Sequence, residues 1–261
     1  MSEDLLVVGA GRLGIRIALI WKNTYPTAKV TVKNKSKDIE RSKQFKKEGF
    51  VPITKEESQA CRAPFVVFCA PSMTGCIEDI EFSIKEHWDT DLPVSAFVLT
   101  SSGGVYEDNF GDIVDENTET TSTQRSQNLL AREKIVRQNK GCILRLAGLY
   151  CKEYGNHHFW RGVEKIPLKP KNWMNLLHYD DAARAVVKCL QNPSKIEREV
   201  FLVADGYPMY IQDIANVTGI DVQFTGGEGI AGKIYDISKI KTELEWEPEC
   251  PKFYDFFQGT K

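Results

Sequence analysis

The chain has 261 residues, of which 42% are hydrophobic, so it is long enough to bury a large core. Its formal net charge is only −2 and its lysines are spread along the sequence, which argues against nucleic acid or an anionic membrane as a partner. The longest apolar runs are too short to span a bilayer, and residues 1–4 lack the basic flank and apolar core of a signal peptide. We therefore expect a cytoplasmic protein.

The first predicted element is a strand at residues 5–8, which a glycine-rich turn and an amphipathic helical segment follow. Gly9 permits the tight turn, Gly11 lets the backbone approach a pyrophosphate, and Gly14 lets the helix pack closely on the strand. The N–H groups and the dipole of the helix N-terminus would hold the phosphates. With G-x-G-x-x-G spacing in this context, the sequence predicts a dinucleotide-binding loop formed by Gly9, Gly11, Arg12, Leu13 and Gly14.

The next predicted strand, residues 29–33, ends without the acidic residue that binds the adenosine ribose of NAD in a Rossmann unit. Lys33, Asn34 and Lys35 stand there instead. Their cationic and donor groups suit a 2′-phosphate, whereas the alternative interpretation is a lysine-rich turn held in solvent. We therefore predict NADP as the cofactor in preference to NAD.

Strand and helix patterns alternate along most of the chain. Strands are predicted at residues 5–8, 29–33, 50–53, 65–69, 94–99, 142–146, 173–178 and 200–203. Helices are predicted from residue 15, at 37–48, within 73–87, and at 126–139, 180–190, 210–217 and 238–244. The pattern predicts an α/β fold with a doubly wound, mostly parallel Rossmann sheet. Ala70 and Pro71 end the strand at 65–69, and we assign both to cofactor binding.

Two segments are predicted to be irregular. Residues 107–122 are acidic and without period, which is typical of a loop, and residues 150–172 combine glycines, prolines and aromatic side chains. We predict one domain over residues 1–261, in which 150–172 and 205–261 contribute a small C-terminal substrate lobe.

The cysteines predict no metal or redox chemistry. There are seven, at positions 61, 69, 76, 142, 151, 189 and 250, and none forms a C-x-x-C pair. Several lie in apolar runs, where a free thiol behaves as a small hydrophobic side chain. We therefore expect buried free thiols and no metal site.

Four motifs occur in order and at familiar spacing: GAGRLG at 9–14, SSGGVY at 101–106, LRLAGLY at 144–150 and NLLHYDDAA at 175–183. Together they resemble the extended short-chain dehydrogenase/reductase superfamily, in particular its atypical NAD(P)-dependent epimerase/dehydratase-like branch. The resemblance spans nearly the whole chain. It implies a nicotinamide cofactor, a small-molecule substrate and a site at the carboxyl edge of the sheet.

The resemblance also implies a catalytic serine and a Tyr-x-x-x-Lys helix after it, and only the serine occurs at its expected position. Ser102 matches the residue that holds a substrate oxygen. Counted back from Glu133, the tyrosine position falls on Arg125 and the lysine position on Leu129. No tyrosine occurs between residues 106 and 150.

This gap leaves the proton donor open. Arg125 stays protonated, so it can stabilise negative charge or bind a phosphate or carboxylate, but it is a poor general acid. We assign the catalytic positions to Ser102, Arg125 and Tyr106. Ser102 either contacts ligand or closes the strand-end turn, and Tyr106 is expected to pack beneath the site rather than act. Solvent and the substrate segment are the other possible proton sources. In that segment the candidates are Tyr154, His157 and His158.

Four further residues have structural interpretations. The pair His157–His158 is expected in a surface loop, without a third ligand at metal spacing. His178 lies on an apolar strand and is expected to hydrogen-bond to backbone. Arg145 is expected to pair with a buried carboxylate, either Glu133 or Asp181.

Two classes of function follow. In the first, the protein is an NADP-dependent oxidoreductase or epimerase-like enzyme on a small substrate, with a rebuilt acid/base group. In the second, it is a catalytically silent protein that binds NADP(H) and reports redox state to a partner. The superfamily resemblance is compatible with a homodimer, but the charged helix around residues 128–136 does not decide it.

Overall fold

The structure is a computed structural model that describes residues 2–34, 38–54, 61–71, 77–108 and 110–259. The strands are β1 (Leu5–Val8), β2 (Val30–Lys33), β3 (Val51–Ile53), β4 (Phe65–Phe68), β5 (Ala96–Ser102), β6 (Ile113–Val114), β7 (Cys142–Leu146), β8 (Gly148–Tyr150), β9 (Lys165–Ile166), β10 (Lys171–Met174), β11 (Leu176–His178), β12 (Val200–Val203), β13 (Met209–Tyr210), β14 (Gln223–Phe224), β15 (Ile230–Gly232) and β16 (Ile234–Tyr235).

The helices are α1 (Arg12–Thr24), α2 (Ile39–Lys47), α3 (Ile77–Phe82), α4 (Gln124–Gln138), α5 (Asn156–Trp160), α6 (Tyr179–Leu190), α7 (Ile211–Thr218), α8 (Ser238–Leu244) and α9 (Phe253–Gln258). A π-helical turn, Ser83–His87, follows α3, and 3₁₀ turns lie at Gly103–Val105 and Pro193–Lys195. Among the described residues, no helix has both the length and the apolar character needed to cross a membrane.

Seven of the described strands form one sheet in the order β12-β7-β5-β4-β1-β2-β3. β1 pairs parallel with β2 on one side and with β4 on the other, and the parallel pairs β2–β3 and β4–β5 extend it. All residues of β1 and β4 are buried, as their continuous apolar sequence requires when both sheet faces are covered. The predicted α/β fold with a mostly parallel Rossmann sheet is confirmed.

The strand order reverses beside β1. From β1 the chain proceeds to β2 and β3 on one side, and then returns to β4 on the other side. In open α/β sheets, ligands bind in the crevice at the carboxyl ends of the strands that flank such a reversal. The turns after β1 and β4 are therefore the parts of this sheet from which the candidate site is built.

The chain divides into two compact units. The first contains Met1–Ser101, Gln127–Leu144 and Ala183–Val200. Its hydrophobic core is formed by side chains of the sheet and of the helices packed on it. Members of this core are Leu6, Val66, Phe68, Trp88, Phe97, Leu99, Val136 and Ile143.

The second unit contains Ser102–Ser126, Arg145–Ala182 and Phe201–Lys261. Its own core is rich in aromatic side chains and includes Tyr150, Trp160, Ile166, Leu176, Ile211, Ile214 and Phe253. Both segments of the predicted substrate lobe, 150–172 and 205–261, fall in this unit. The unit is larger than that lobe, because it also contains residues 102–126. The single domain over 1–261 stays a prediction.

The prediction of a single strand at residues 173–178 is wrong. The chain forms β10, which pairs with β13 and β15, and then β11, which pairs with β8. Asn175 separates them and explains the change of partner. Its Nδ2 donates to the Lys233 carbonyl at 2.8 Å, and its Oδ1 accepts from the Tyr235 N–H at 2.9 Å.

The segments predicted to be wholly irregular contain short regular elements. Residues 150–172 include α5 and β9, and residues 107–122 include β6. β9 pairs with β14, and β6 pairs with β16. These partners come from far along the chain, so the local sequence pattern did not reveal the strands. Within the predicted helix at 73–87, α3 begins at Ile77, and residues 72–76 lie outside the described part of the chain.

The six cysteines within the described ranges are all free. Cys142, Cys151 and Cys189 are buried, and the other three are partly buried. The prediction of free thiols is confirmed for these six, while Cys76 lies outside the described residues.

Candidate functional site

The turn after β1 is pressed against the end of β4. Gly9 has φ +94°, in the region that favours glycine, and a Cβ on it would lie 2.5 Å from the Ala70 backbone nitrogen. Gly14 is equally confined, because a Cβ there would lie 2.4 Å from the Gly9 carbonyl oxygen. These two glycines therefore set the close approach of α1 to the carboxyl edge of the sheet, as the sequence predicts.

Gly11 has a different environment. A Cβ built on it would meet no described heavy atom within 4 Å, so the position opens onto space. Gly11 is also the N-cap of α1, and no side chain caps the helix there. Gly11 is exposed, and the structure thus leaves open space above it at the N-terminus of α1.

The N-terminus of α1 favours an anion. The first intrahelical bond runs from the Ile15 N–H to the Gly11 carbonyl at 3.0 Å, so the amides of Leu13 and Gly14 precede the regular helical ladder. The first turn contains no acidic residue. Donor amides and the helix dipole therefore face the space above Gly11 without a competing carboxylate.

Arg41 is a cation beside this loop that the sequence interpretation missed. It lies in α2, where the Asp38 side chain caps the helix by accepting from the Arg41 N–H at 3.0 Å. Its Nη2 donates to the Ala10 carbonyl, which belongs to the glycine loop. The one sequence signal near Arg41 is the capping residue Asp38. It marks the start of α2 but does not reveal that Arg41 contacts the glycine loop. Arg12, which the sequence does assign to the loop, is exposed at the start of α1.

Lys33 has a partner that the sequence did not reveal. Its Nζ lies 2.9 Å from Nε2 of the buried His87, whose Nδ1 lies 2.8 Å from the Cys61 carbonyl. Since the carbonyl must accept from Nδ1–H, Nε2 carries the lone pair that accepts from the ammonium. Burial, and then the nearby Lys33 charge, lower the pKa of His87, which keeps the imidazole neutral. The Lys33 ammonium is thus engaged with a neutral histidine.

The other predicted cofactor residues lie around the two turns. The Asn34 N–H donates to the Ile53 carbonyl at 3.4 Å, and Lys35 lies outside the described residues. The Ala70 carbonyl accepts from Nη2 of the buried Arg132 at 3.0 Å, which holds the end of β4. Pro71 is exposed after it.

Ser102 closes the turn after β5 in the second unit. Its Oγ accepts from the Gly104 N–H at 3.1 Å. The neighbouring Gly103 is buried under Tyr235, because a Cβ there would lie 2.4 Å from the tyrosine hydroxyl oxygen. Burial, and then the nearby Tyr106, raise the pKa of Tyr235. Sequence reasoning missed Tyr235, since 132 residues of chain and no shared motif separate it from Gly103.

Tyr106 packs in the interior and is only 2% exposed. Its hydroxyl accepts from Nη1 of Arg145 at 2.7 Å, and its carbonyl accepts from Nζ of Lys233 at 2.6 Å. This is the environment that the packing interpretation expects. For Arg145, a carboxylate partner stays a prediction.

Arg125 and Leu129 do not reproduce a tyrosine–lysine pair. Arg125 is exposed in the first turn of α4, whereas Leu129 is a buried apolar residue. Glu133, from which their positions were counted, is buried and accepts a hydrogen bond from the Ser101 hydroxyl.

The histidine predictions have mixed outcomes. His157 is not a surface residue: it is 1% exposed in α5, with its ring against Phe253 and Phe257. The helix turns His157 inward together with Trp160, three residues on, and leaves His158 exposed. The interpretation of His178 is confirmed, because its Nδ1 accepts from the Asp180 N–H at 3.2 Å.

A cavity of about 430 Å³ lies within the second unit. Its lining includes Asp205, Tyr207, Lys241, Cys250 and Lys252. Oδ1 of Asp205 accepts from the Tyr207 N–H at 2.9 Å, while Oδ2 is buried without a hydrogen-bond partner among the described residues. Burial, with a smaller effect from Asp181, raises the pKa of Asp205 to about 7.

No protein-family model matches the sequence, and no curated protein matches it. Solved structures do match the whole fold. UDP-glucuronic acid 4-epimerase from Bacillus cereus, in complex with NAD, is 16% identical with a TM-score of 0.75, over 98% of this chain and 94% of that one. dTDP-glucose 4,6-dehydratase from Bacillus anthracis, also in complex with NAD, is 15% identical with a TM-score of 0.73, over 98% and 95%.

A third structure agrees with these two. The UDP-Glc/GlcNAc 4-epimerase from Campylobacter jejuni is 18% identical with a TM-score of 0.72, over 99% of this chain and 97% of that one. The chain therefore has the fold of these epimerase and dehydratase structures, which is the fold that the resemblance of the four sequence motifs implied.

The raised pKa of Asp205 predicts how the stability of the fold depends on pH. The Asp205 carboxyl has a pKa of about 7 in the folded state, against an ordinary value of 3.8. Its contribution to stability is therefore complete below pH 3.8 and is lost as pH rises through 7. Wild-type stability relative to Asp205→Asn should fall across that window by up to about 1.4 kcal/mol per pH unit. Urea denaturation at several pH values measures this difference.

Asp255→Asn is the matched control, because Asp255 lines the same cavity but is exposed. The prediction would be contradicted if the stability difference from the wild type changed with pH equally for both variants. It would also be contradicted if that difference did not change with pH for Asp205→Asn.

Proposed function

We propose that this protein binds a nicotinamide dinucleotide on the glycine loop. We further propose that it is an atypical short-chain dehydrogenase/reductase, which acts on a small substrate as an oxidoreductase or epimerase-like enzyme. The open cradle above Gly11, at an uncapped helix N-terminus, is the observation that carries the proposal. The pyrophosphate would lie on the amides of Leu13 and Gly14. The matching folds of NAD-bound epimerase and dehydratase structures support it.

The bound dinucleotide would supply hydride exchange, and the residues of the second unit would handle the substrate oxygen and its proton. The Ser102 Oγ accepts from Gly104, so its own proton is directed to another acceptor, such as a substrate hydroxyl or carbonyl. Tyr235 adds a phenol that stays protonated because burial raises its pKa. Arg125, exposed and cationic, suits a phosphate or carboxylate of the substrate.

We propose NADP as the preferred dinucleotide. Asn34 stands where a ribose-binding carboxylate would be expected, and the Arg41 guanidinium lies at the glycine loop through its bond to Ala10. Arg41, rather than Lys33, is the residue from which a 2′-phosphate would gain charge-assisted hydrogen bonds. The NAD found in the epimerase and dehydratase structures is the observation that favours NAD.

A second candidate function is a catalytically silent NADP(H)-binding protein that senses redox state. The exposed Arg125 and the buried Leu129, at the tyrosine and lysine positions, favour it. In either case we propose a cytoplasmic protein and leave a homodimer as an expectation from the resemblance.

The glycine loop gives a paired test of the cofactor site. Gly11→Ala should weaken the binding of NADPH and NADH at least tenfold, because the new methyl group enters the phosphate cradle, and it should change Tm by only a few degrees. Gly14→Ala should lower Tm strongly, because its methyl group would meet the Gly9 carbonyl. Isothermal titration and thermal unfolding measure the two effects. Unchanged affinity in Gly11→Ala would remove the proposed pyrophosphate site.

Arg41 gives the test of cofactor preference. Arg41→Ala should raise the Kd of NADPH about tenfold, which corresponds to about 1.4 kcal/mol, and should leave the Kd of NADH within about twofold. Lys46→Ala, an exposed lysine of the same helix, is the control. Tighter binding of NADH than of NADPH by the wild type, with both affinities unchanged in Arg41→Ala, would overturn the preference.

Turnover separates the enzyme from the sensor. The purified protein should convert at least one member of a panel of nucleotide-sugars, aldehydes and ketones, followed by NAD(P)H absorbance and by chromatography of the sugar products. Ser102→Ala should lower kcat at least about a hundredfold with unchanged dinucleotide affinity, and Ser122→Ala, an exposed loop serine, should not. Tight NADPH binding without turnover across the panel would favour the silent protein.

A further inference from the structure

Three side chains with different ligand atoms converge in the second unit, outside the proposed catalytic residues. His178 ends β11, Asp180 lies in the first turn of α6, and Cys250 lies in the segment before α9. The Cys250 Sγ is 3.1 Å from the His178 Nδ1, which is 3.6 Å from an Asp180 carboxylate oxygen. All three ligand atoms lie within 4.8 Å of one another.

His178 presents the correct nitrogen to this cluster. Its Nδ1 accepts from the Asp180 N–H, so that nitrogen carries the lone pair and the Cys250 thiol is the donor in the sulfur–nitrogen contact. The imidazole is 6% exposed, and its ring packs against Tyr150 and Phe256. Packing thus fixes the orientation of the ring, with its Nδ1 towards the other two ligand atoms.

The backbone that carries the thiol is also held in place. The buried Asp181 carboxylate accepts from the Glu249 N–H at 2.8 Å and from the Cys250 N–H at 3.2 Å. Asp180 and Asp181 are adjacent, so one helix start both supplies a ligand and anchors the segment that bears the sulfur. The three ligand atoms are therefore preorganised by contacts that no ion is needed to form.

A second observation also points to a missing partner near Cys250. Cys250 lines the cavity that Asp205 lines, and Asp205 is 5% exposed with its Oδ2 unpartnered among the described residues. The two lysines of that lining have other contacts: Lys241 pairs with Glu247 at 2.9 Å, and Lys252 lies 3.8 Å from the centre of the Tyr207 ring. A buried carboxyl oxygen without a partner among the described residues, in a cavity that the thiol also lines, suits a water bound to the cation.

We propose that His178, Asp180 and Cys250 bind a divalent cation of the zinc class, with water as the fourth ligand. One nitrogen, one oxygen and one sulfur ligand suit Zn²⁺, and tetrahedral zinc holds such atoms about 3.3–3.6 Å apart. The distances of 3.1 Å and 3.6 Å from the His178 Nδ1 are close to that range. The Cys250 Sγ and the Asp180 carboxylate oxygen lie within 4.8 Å of each other, and metal binding would draw them together. The sequence expectation of no metal site rested on the absence of C-x-x-C spacing, and this proposal departs from it.

Binding has a defined proton balance. The Cys250 thiol loses its proton to solvent and becomes the thiolate ligand, while His178 exchanges the Asp180 N–H for the metal at Nδ1. The metal would link the segment before α9 to β11 and to the first turn of α6, all of which lie in the second unit. It would therefore stabilise that unit.

Co²⁺ and Zn²⁺ titrations of the metal-free full-length protein test this proposal. Co²⁺ should bind one equivalent with a thiolate-to-cobalt charge-transfer absorption, which Zn²⁺ should displace, and Zn²⁺ should raise Tm. Cys250→Ser should abolish the absorption and the Tm shift, and His178→Gln should weaken binding at least a hundredfold. Cys61→Ser and His158→Gln are the matched controls and should bind as the wild type does.

Asp180→Asn provides a variant at a partly exposed position, which keeps the test valid should His178→Gln fail to fold. It should weaken Zn²⁺ binding at least about tenfold. Absence of the absorption in the wild type, its persistence in Cys250→Ser, or equal loss in Cys61→Ser would each overturn the proposal. NADPH affinity should be the same with and without Zn²⁺, so this result is separable from the proposed function.

Discussion

The close approach of α1 to the edge of the sheet is the constraint on which the candidate cofactor site depends. Two positions enforce it, because a side chain at Gly9 would overlap the backbone at Ala70 and one at Gly14 would overlap the Gly9 carbonyl. The same approach brings the N-terminus of α1 to the crevice between β1 and β4. Gly11 differs from them, because a Cβ built on it would contact no described heavy atom. Packing thus requires two of the glycines, and the third borders open space.

The second unit depends on contacts between distant parts of the chain. Asn175 joins two neighbouring strands to the segment around Tyr235, and the Tyr235 hydroxyl covers Gly103. Tyr106 receives one hydrogen bond from Arg145 and another from Lys233. Ser102 therefore lies on a turn whose neighbours are fixed from several directions. Such rigid support is what a residue that positions a substrate oxygen requires.

The charged residues near the end of β2 have contacts that the sequence did not reveal. The sequence places three candidate donors there, and it predicts that they select a 2′-phosphate. In the fold, Lys33 is paired with the neutral His87, while Arg41 from the next helix reaches the glycine loop. The cation that contacts the glycine loop therefore comes from outside the local motif.

The sequence by itself determined the α/β fold, the buried strands β1 and β4, the glycine loop and the identity of Arg125 and Leu129 at the two positions counted back from Glu133. These features depend on hydrophobic runs, on glycine spacing and on residue identity, all of which are local. Only the tertiary structure decided the break at Asn175, the burial of His157, the partner of Lys33, the positions of Arg41 and Tyr235, and the meeting of His178 with Cys250. Each of these depends on contacts between residues far apart in the chain, and a local pattern carries no information on which distant side chain will fill a given space.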